Sequence, residues 1–175
     1  MDRYTKGSKI GKGGFGKAFK CTDNETQREL VMKVISKSIP NINCEELKRE
    51  AEIMEGLNHP NIVQYFNSFE DENNFYIIVE YMDGGNLQQL LDEGRFDEAT
   101  IIRMLEQMLI VLCFLKEHRI IHGDIKPENI FLRKDGRIVL GDFGCAKQLG
   151  TSQIQTVAGG LTKEYASPER VFNQP

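Results

Sequence analysis

Between two apolar ends, the stretch "IIHGDIKPENIFL" (Ile120–Leu132) carries His122, Asp124, Lys126, Glu128 and Asn129. Asp124 and Asn129 are two oxygen acceptors five residues apart in a loop anchored at both sides. With Asp142, in "LGDFG", they could hold a divalent metal and a substrate hydroxyl. Magnesium prefers such oxygen ligands and shares them with phosphates. Alone, "LGDFG" reads as well as a plain Asp-containing turn after a strand.

A second group lies near the start. "GKGGFG" places Gly11, Gly13 and Gly16 in G-x-G-x-x-G spacing, with Lys12, Gly14 and Phe15 between them. Glycines let backbone N–H groups approach phosphate oxygens, but such runs also serve as ordinary turns. A dinucleotide-binding loop opens a helix after its third glycine. Here "KAFKCT" follows and reads as a strand, which favours a flexible lid between two strands. Lys33 stands inside the apolar run "VMKV", 22 residues after Gly11. A buried ammonium needs a partner, and Glu50 is a candidate. The plainer alternative is a solvated Lys at a strand edge and an exposed Glu in the charge-rich "EELKREAE".

The elements that must position these groups change character along the chain. "SKIGKGGFGKAFKCT" predicts a Gly-rich turn between two strands, and the β-branched "RELVMKVIS" a buried strand. "CEELKREAEIMEGLN" has Leu47, Ala51, Met54 and Leu57 at helical spacing. "NIVQYFNSF" and "FYIIVEYM" read as strands joined by "EDENN". "MDGGN" (Met82–Asn86) is a hinge signal. Beyond it, "DEATIIRMLEQMLIVLCFLKEH" predicts a long helix with a broad apolar face, buried over much of its circumference. A hairpin through "RKDGR" and a Gly-, Ser- and Thr-rich segment follow. The pattern is a small β-rich lobe, a hinge, and the start of a more helical lobe.

Bulk properties narrow the class. The chain has 175 residues, is 40% hydrophobic and 27% charged, and has a formal net charge of −4. That charge gives no electrostatic case for nucleic acid or an anionic membrane. Cys21, Cys44, Cys113 and Cys145 are far apart with no C-x-x-C pair, which argues against zinc and disulfides and for a reducing compartment. Most are expected to be buried thiols. The N-terminus lacks the apolar core of a signal peptide. A soluble, cytoplasmic protein is expected, with nuclear or cytoskeletal association open.

Taken in order, these motifs make the chain resemble a eukaryotic protein kinase over nearly its whole length. The resemblance implies an α+β, two-lobed fold. Residues 1–81 would form a β-rich N-lobe with one main helix, and 82–175 an incomplete, mainly helical C-lobe. It implies that Gly11 to Gly16, Lys12, Phe15 and Gly14 included, cover the phosphates of ATP. Lys33, oriented by Glu50, would hold them. Val79 falls at the gatekeeper position, with Glu80, Tyr81 and Met82 as the hinge that bonds adenine. Ala18, Val31 and Phe131 would sandwich the base. Asp124 matches the catalytic base, with Lys126 near the γ-phosphate, and Asn129 and Asp142 match the magnesium ligands. His122, Phe143, Met54 and Tyr65 match a stacked spine, so His122 is read as packing, and His59 in "HPNIV" as structural. "SPE" (Ser167–Glu169) matches the A-P-E motif.

Finer features are similar to serine/threonine kinases: Lys126 two residues after Asp124, and Thr162 in "LTKEYASPE". "NIFLRKDGRIVLGDFGCAKQL", "NIVQYFNSFED" and "SPE" look most like NIMA-related kinases. The substrate implied is a protein with Ser or Thr acceptors. Three features depart from the pattern. Gly123 stands where most kinases have Arg, Leu161 replaces a Gly, and the chain stops at Pro175, before the helices that complete the lower lobe. The face those helices cover would then be open to self-association or a partner. The competing reading is a pseudokinase or kinase fragment acting as an ATP-binding or scaffolding module. A Rossmann oxidoreductase is a distant third.

Overall fold

The computed structural model describes residues 3–12, 16–39, 44–94, 96–150 and 163–168. The chain divides into two compact units. One comprises Met1–His59 and Val63–Tyr81, the other Pro60–Ile62 and Met82–Pro175.

The first unit is built on a five-stranded antiparallel sheet. Its strands are β1 (Tyr4–Lys12), β2 (Lys17–Asp23), β3 (Glu29–Ser36), β4 (Tyr65–Glu70) and β5 (Asn74–Glu80), in the order β1-β2-β3-β5-β4. β5 is buried along its centre because it has a neighbour on each side and an apolar sequence, with Ile77 and Ile78 fully inaccessible. One sheet face carries a cluster of Tyr4, Cys21, Leu30, Met32, Tyr76 and Ile78, flanked by Val34, Phe66 and Phe69. Within it Phe69 stacks between Tyr4 and Tyr76, at 5.9 and 4.8 Å. The helix α1 (Cys44–Glu55) follows β3 and contacts β4 and β5. Glu45 and Glu46 in its first turn suit the positive end of the helix dipole. Leu47, Ala51, Ile53 and Met54 are buried. Lys48 on α1 and Lys37 after β3 both reach Glu70 on β4, at 3.3 and 2.8 Å.

The second unit contains two helices among the described residues. The short α2 (Leu87–Asp92) begins on a capping box: Asn86 accepts from the Gln89 amide, and the Gln89 side chain accepts from Asn86 N–H. The long α3 (Glu98–Glu117) begins on Asp97, whose carboxylate accepts from Thr100 N at 2.8 Å. The strands β6 (Ile120–Ile121) and β9 (Lys147–Gln148) pair, as do β7 (Ile130–Leu132) and β8 (Ile138–Leu140), the latter through the expected "RKDGR" turn.

Three expectations need correction. Apolar periodicity predicts α3 buried around much of its circumference, yet only Val111 and Leu115 are. Ile101, Ile102, Leu105, Leu109, Ile110 and Leu112 are exposed, because no described element of the unit covers that side. The strand expected from Asn61 starts at Tyr65, because Asn61 and Ile62 are bonded instead to β8. Only two of the four thiols are buried, Cys21 and Cys145. Cys113 sits on the open side of α3, and burial pushes the Cys21 thiol up to about 11.

Candidate functional site

In the first unit the sheet register gathers the predicted residues on one face. Residues directly opposite in adjacent strands share a face, as do residues two apart in one strand. Gly11 faces Ala18, Ala18 faces Lys33, and Val31 faces Val79. Gly11, Ala18, Val31, Lys33 and Val79 therefore lie on the face opposite the aromatic cluster. Lys33 Nζ lies 3.8 Å from Glu50 Oε1, and the Glu50 side chain is only 9% exposed. The buried-pair reading of "VMKV" and "EELKREAE" is the one the structure shows. Lys12 is not brought to that face: it opposes Lys17 on the other side of the sheet. Gly13, Gly14 and Phe15 lie outside the described residues, as do Leu161, Thr162 and Glu169. Gly16 is required by packing, since a Cβ there would run into the Val34 carbonyl. Glu80 N–H donates to the Gln64 carbonyl at 2.9 Å, so that amide is committed within the unit.

The second unit assembles the loop that opened the sequence. Pro127–Asn129 forms a single 3-10 turn, with Asn129 N–H donating to the Lys126 carbonyl at 2.9 Å. This turn folds Asp124, Lys126 and Asn129 together. The Asn129 amide nitrogen donates to the Asp124 carbonyl at 2.8 Å and to Asp124 Oδ2 at 3.0 Å. Lys126 Nζ reaches the same Oδ2 at 2.9 Å. Partial burial works against the Lys126 ammonium, but the bond to Asp124 and the charges of Asp124, Glu128 and Asp142 outweigh it, and its pKa is raised.

Gly141 N–H donates to the Asn129 carbonyl at 2.9 Å, which brings Asp142 beside the turn. Asp142 has φ +59°, a left-handed conformation uncommon outside glycine. Such conformations cost of order 1–3 kcal/mol and persist where the surroundings hold them. His122 is the bracket. Its Nε2 donates to the Gly141 carbonyl at 2.9 Å, and its Nδ1 accepts from Asp124 N–H at 3.3 Å. Both nitrogens are used by the neutral ring, which also packs edge-on to the fully buried Phe143, 4.7 Å between centroids. His122 is a packing residue, as the resemblance implied. Gly123 has φ +82°, so glycine stands between His122 and Asp124 where the backbone turns left-handed.

The donor set tests whether a divalent cation fits. Asn129 gives its nitrogen to Asp124, which leaves Oδ1 as the oxygen it could offer a cation, and Asp142 supplies a carboxylate one residue from the Gly141–Asn129 bond. Hard oxygen donors of this kind suit magnesium, which keeps several waters and needs few protein ligands. No cluster of three or more His, Cys, Asp or Glu able to hold a metal occurs among the described residues.

One positioning residue escaped the motif reading. Asn61, buried in "HPNIV", donates to the Ile138 carbonyl at 2.7 Å and to Gln107 Oε1 at 2.9 Å. Its own carbonyl accepts from Leu140 N–H at 2.8 Å. Gln107 Oε1 also accepts from Ile138 N–H. Asn61 thereby ties β8, which leads into Asp142, to α3. A buried Asn between apolar neighbours was the available signal.

Comparison with known proteins agrees with this arrangement. The protein kinase domain family matches residues 4–175. The chain belongs to that family. It is 38% identical over 180 residues to serine/threonine-protein kinase Nek1 of Mus musculus, a match covering 100% of this chain and 15% of that protein. It is 37% identical over 182 residues to serine/threonine-protein kinase Nek5 of Homo sapiens, covering 100% of this chain and 25% of that protein. An Aurora kinase of Encephalitozoon cuniculi (strain GB-M1) is 34% identical over 177 residues, covering 99% and 64%. The chain thus spans a quarter or less of the length of these two Nek kinases. The likeness to NIMA-related kinases expected from "NIFLRKDGRIVLGDFGCAKQL" is borne out, and it is shared with an Aurora kinase.

Proposed function

We propose that this chain is a serine/threonine protein kinase domain that transfers the γ-phosphoryl group of ATP to protein hydroxyls, with magnesium as the metal. The observation that carries the reading is the double hydrogen bonding of Asp124 Oδ2, by Lys126 Nζ at 2.9 Å and by Asn129 at 3.0 Å. It fixes one carboxylate oxygen and presents the carboxylate in a single orientation, which suits aligning an acceptor hydroxyl and taking its proton. Lys126 adds positive charge where phosphate charge is to be steadied. Phosphoryl transfer depends mainly on positioning and charge neutralisation, and these residues supply both.

Lys33, steadied by Glu50, holds phosphate oxygens, and the backbone of the glycine-rich turn closes over them, while the Lys12 side chain belongs to the other side of the sheet. Ala18, Val31, Val79 and Phe131 offer apolar contact to the base, and the Glu80 to Met82 backbone offers hydrogen bonds. Asn129 and Asp142 would hold magnesium, which would supply charge neutralisation on the phosphates. The same reading takes Ser- or Thr-bearing proteins as substrates, a cytoplasmic location, and the open side of α3 as a surface for self-association or a partner.

Transfer from ATP to a generic protein substrate, with Asp124→Asn as control, tests the chemistry. Binding is tested separately by melting. Mg-ATP at 100 times its dissociation constant should add about 2.7 kcal/mol, and Asp142→Asn should remove most of the metal-dependent part. Well-folded protein with no Mg-ATP melting shift would sink the nucleotide reading. Binding without any transfer that Asp124→Asn abolishes would leave a nucleotide-binding module instead.

A further inference from the structure

β1 is an edge strand, and its lysines are arranged in a way its sequence hides. Lys6, Lys9 and Lys12 are three residues apart. In a regular strand that spacing alternates between faces. The register of β1 on β2 is broken twice, between Lys6 and Lys9 and between Lys9 and Gly11. Each break inserts one extra residue and resets the alternation. As a result Lys6 opposes Cys21, Lys9 opposes Phe19 and Lys12 opposes Lys17, which puts all four lysines on one face. Lys6 Nζ sits 3.7 Å from the centre of the Phe19 ring.

None of these ammonium groups is neutralised within the fold. Among the described residues no carboxylate pairs with Lys6, Lys9, Lys12 or Lys17, whereas Lys20, Lys37 and Lys48 all have one. Lys12 and Lys17 even stand opposite each other, which costs stability. The stripe belongs to a chain of net charge −4, so it is a local feature against the overall balance. Beside it, β1 ends the sheet and presents a strand edge without a described neighbour.

We propose that β1 is a docking edge for an extended acidic peptide. The peptide adds as a further strand beside β1, its backbone pairing with the strand edge and its carboxylates meeting Lys6, Lys9 and Lys12. The chemistry fits this occupant better than a broad polyanion. The stripe is narrow and runs about 20 Å, the length of six residues of extended chain. A strand added at an edge also presents alternate side chains to one face, the face these lysines occupy.

The test uses the full chain and a fluorescent peptide of alternating Glu and Thr. Saturable, salt-sensitive binding is expected, without nucleotide. Lys6→Glu/Lys9→Glu, which leaves Lys12 and the glycine-rich turn intact, should weaken it about tenfold or more, and Lys116→Glu on α3 should not. Methylating alternate peptide amides should weaken binding too, because strand addition needs them. Lys6→Gln/Lys9→Gln serves as the second variant if charge reversal lowers the melting temperature. Binding unchanged in both double variants overturns the proposal. So does tighter binding to phosphatidylserine vesicles or to a single-stranded oligonucleotide than to the peptide. Absence of peptide binding by folded protein would leave the lysines as guards against edge pairing. Because no nucleotide enters the assay, its failure is separable from failure of the kinase reading.

Discussion

At the scale of single residues, the fold is held at its first turn by one carboxylate. Asp23, at the end of β2, accepts from Arg3 Nη2 at 3.0 Å and Arg3 Nε at 3.3 Å, and from Glu25 N–H at 3.0 Å. The Arg3 bond, with the Glu25 amide and Thr26 hydroxyl adding to it, outweighs burial and lowers its pKa from 3.8 to about 2. A carboxyl group with a lower pKa folded than unfolded contributes stability that is present above the unfolded value and lost as pH falls through the folded one. The Asp23 contribution is therefore complete above pH 3.8 and fades towards pH 2. Urea midpoints measured across that window should fall more steeply for the parent protein than for Asp23→Asn. Parallel curves would show that Asp23 is not linked to folding. Residues of this kind were invisible in the sequence, where Asp23 is one acid in "CTDNE", because the bond to Arg3 depends on pairing β1 with β2. Lys33 and Glu50 were legible for the opposite reason: a charge inside an apolar strand calls for a partner.

Among the elements, the glycine-rich turn shows how one motif can answer two demands. Read as sequence, its glycines admit phosphate. In the structure Gly16 answers first to β3, because a Cβ there would strike the Val34 carbonyl, and a backbone atom cannot swing aside. At Gly11 the nearest atom to an added Cβ is the Ala18 Cβ at 3.8 Å, an ordinary contact. Gly16→Ala should thus destabilise the protein by about 1–3 kcal/mol, the usual range for overpacking. Gly11→Ala should leave stability nearly unchanged, and any loss of nucleotide affinity it causes would be local. Urea denaturation of both variants decides. Equal destabilisation would mean that the turn tolerates neither residue for a reason other than contact with β3. The strands themselves were legible, since β3 and β5 are runs of β-branched and aromatic residues. The two bulges of β1 were not: "YTKGSKIGK" has no period that announces them, and they appear only once a neighbouring strand sets the count. Gly123 was legible as an oddity and explained only by its φ of +82°.

For the whole molecule, the sequence told what α3 is made of and not what covers it. Apolar periodicity reports which residues avoid water in the native assembly, without naming the element that excludes it. Leu105 is 58% exposed and Leu109 62%, with Ile101, Ile102, Ile110 and Leu112 open beside them. Burying one large aliphatic side chain is worth about 1.5–3 kcal/mol. Six on one helix represent a drive towards association comparable with the whole stability of a domain, roughly 5–15 kcal/mol. Contiguous apolar surface of that extent marks a contact region. The polypeptide of residues 1–175 should therefore self-associate reversibly as its concentration rises, seen as a concentration-dependent sedimentation coefficient. Leu105→Lys/Leu109→Lys should return it to a monomer with helix content unchanged by circular dichroism, because neither residue belongs to the buried pair Val111 and Leu115. A chain that stays monomeric throughout the series, with α3 amides strongly protected from hydrogen exchange, would show that this helix is stable with its apolar side in water.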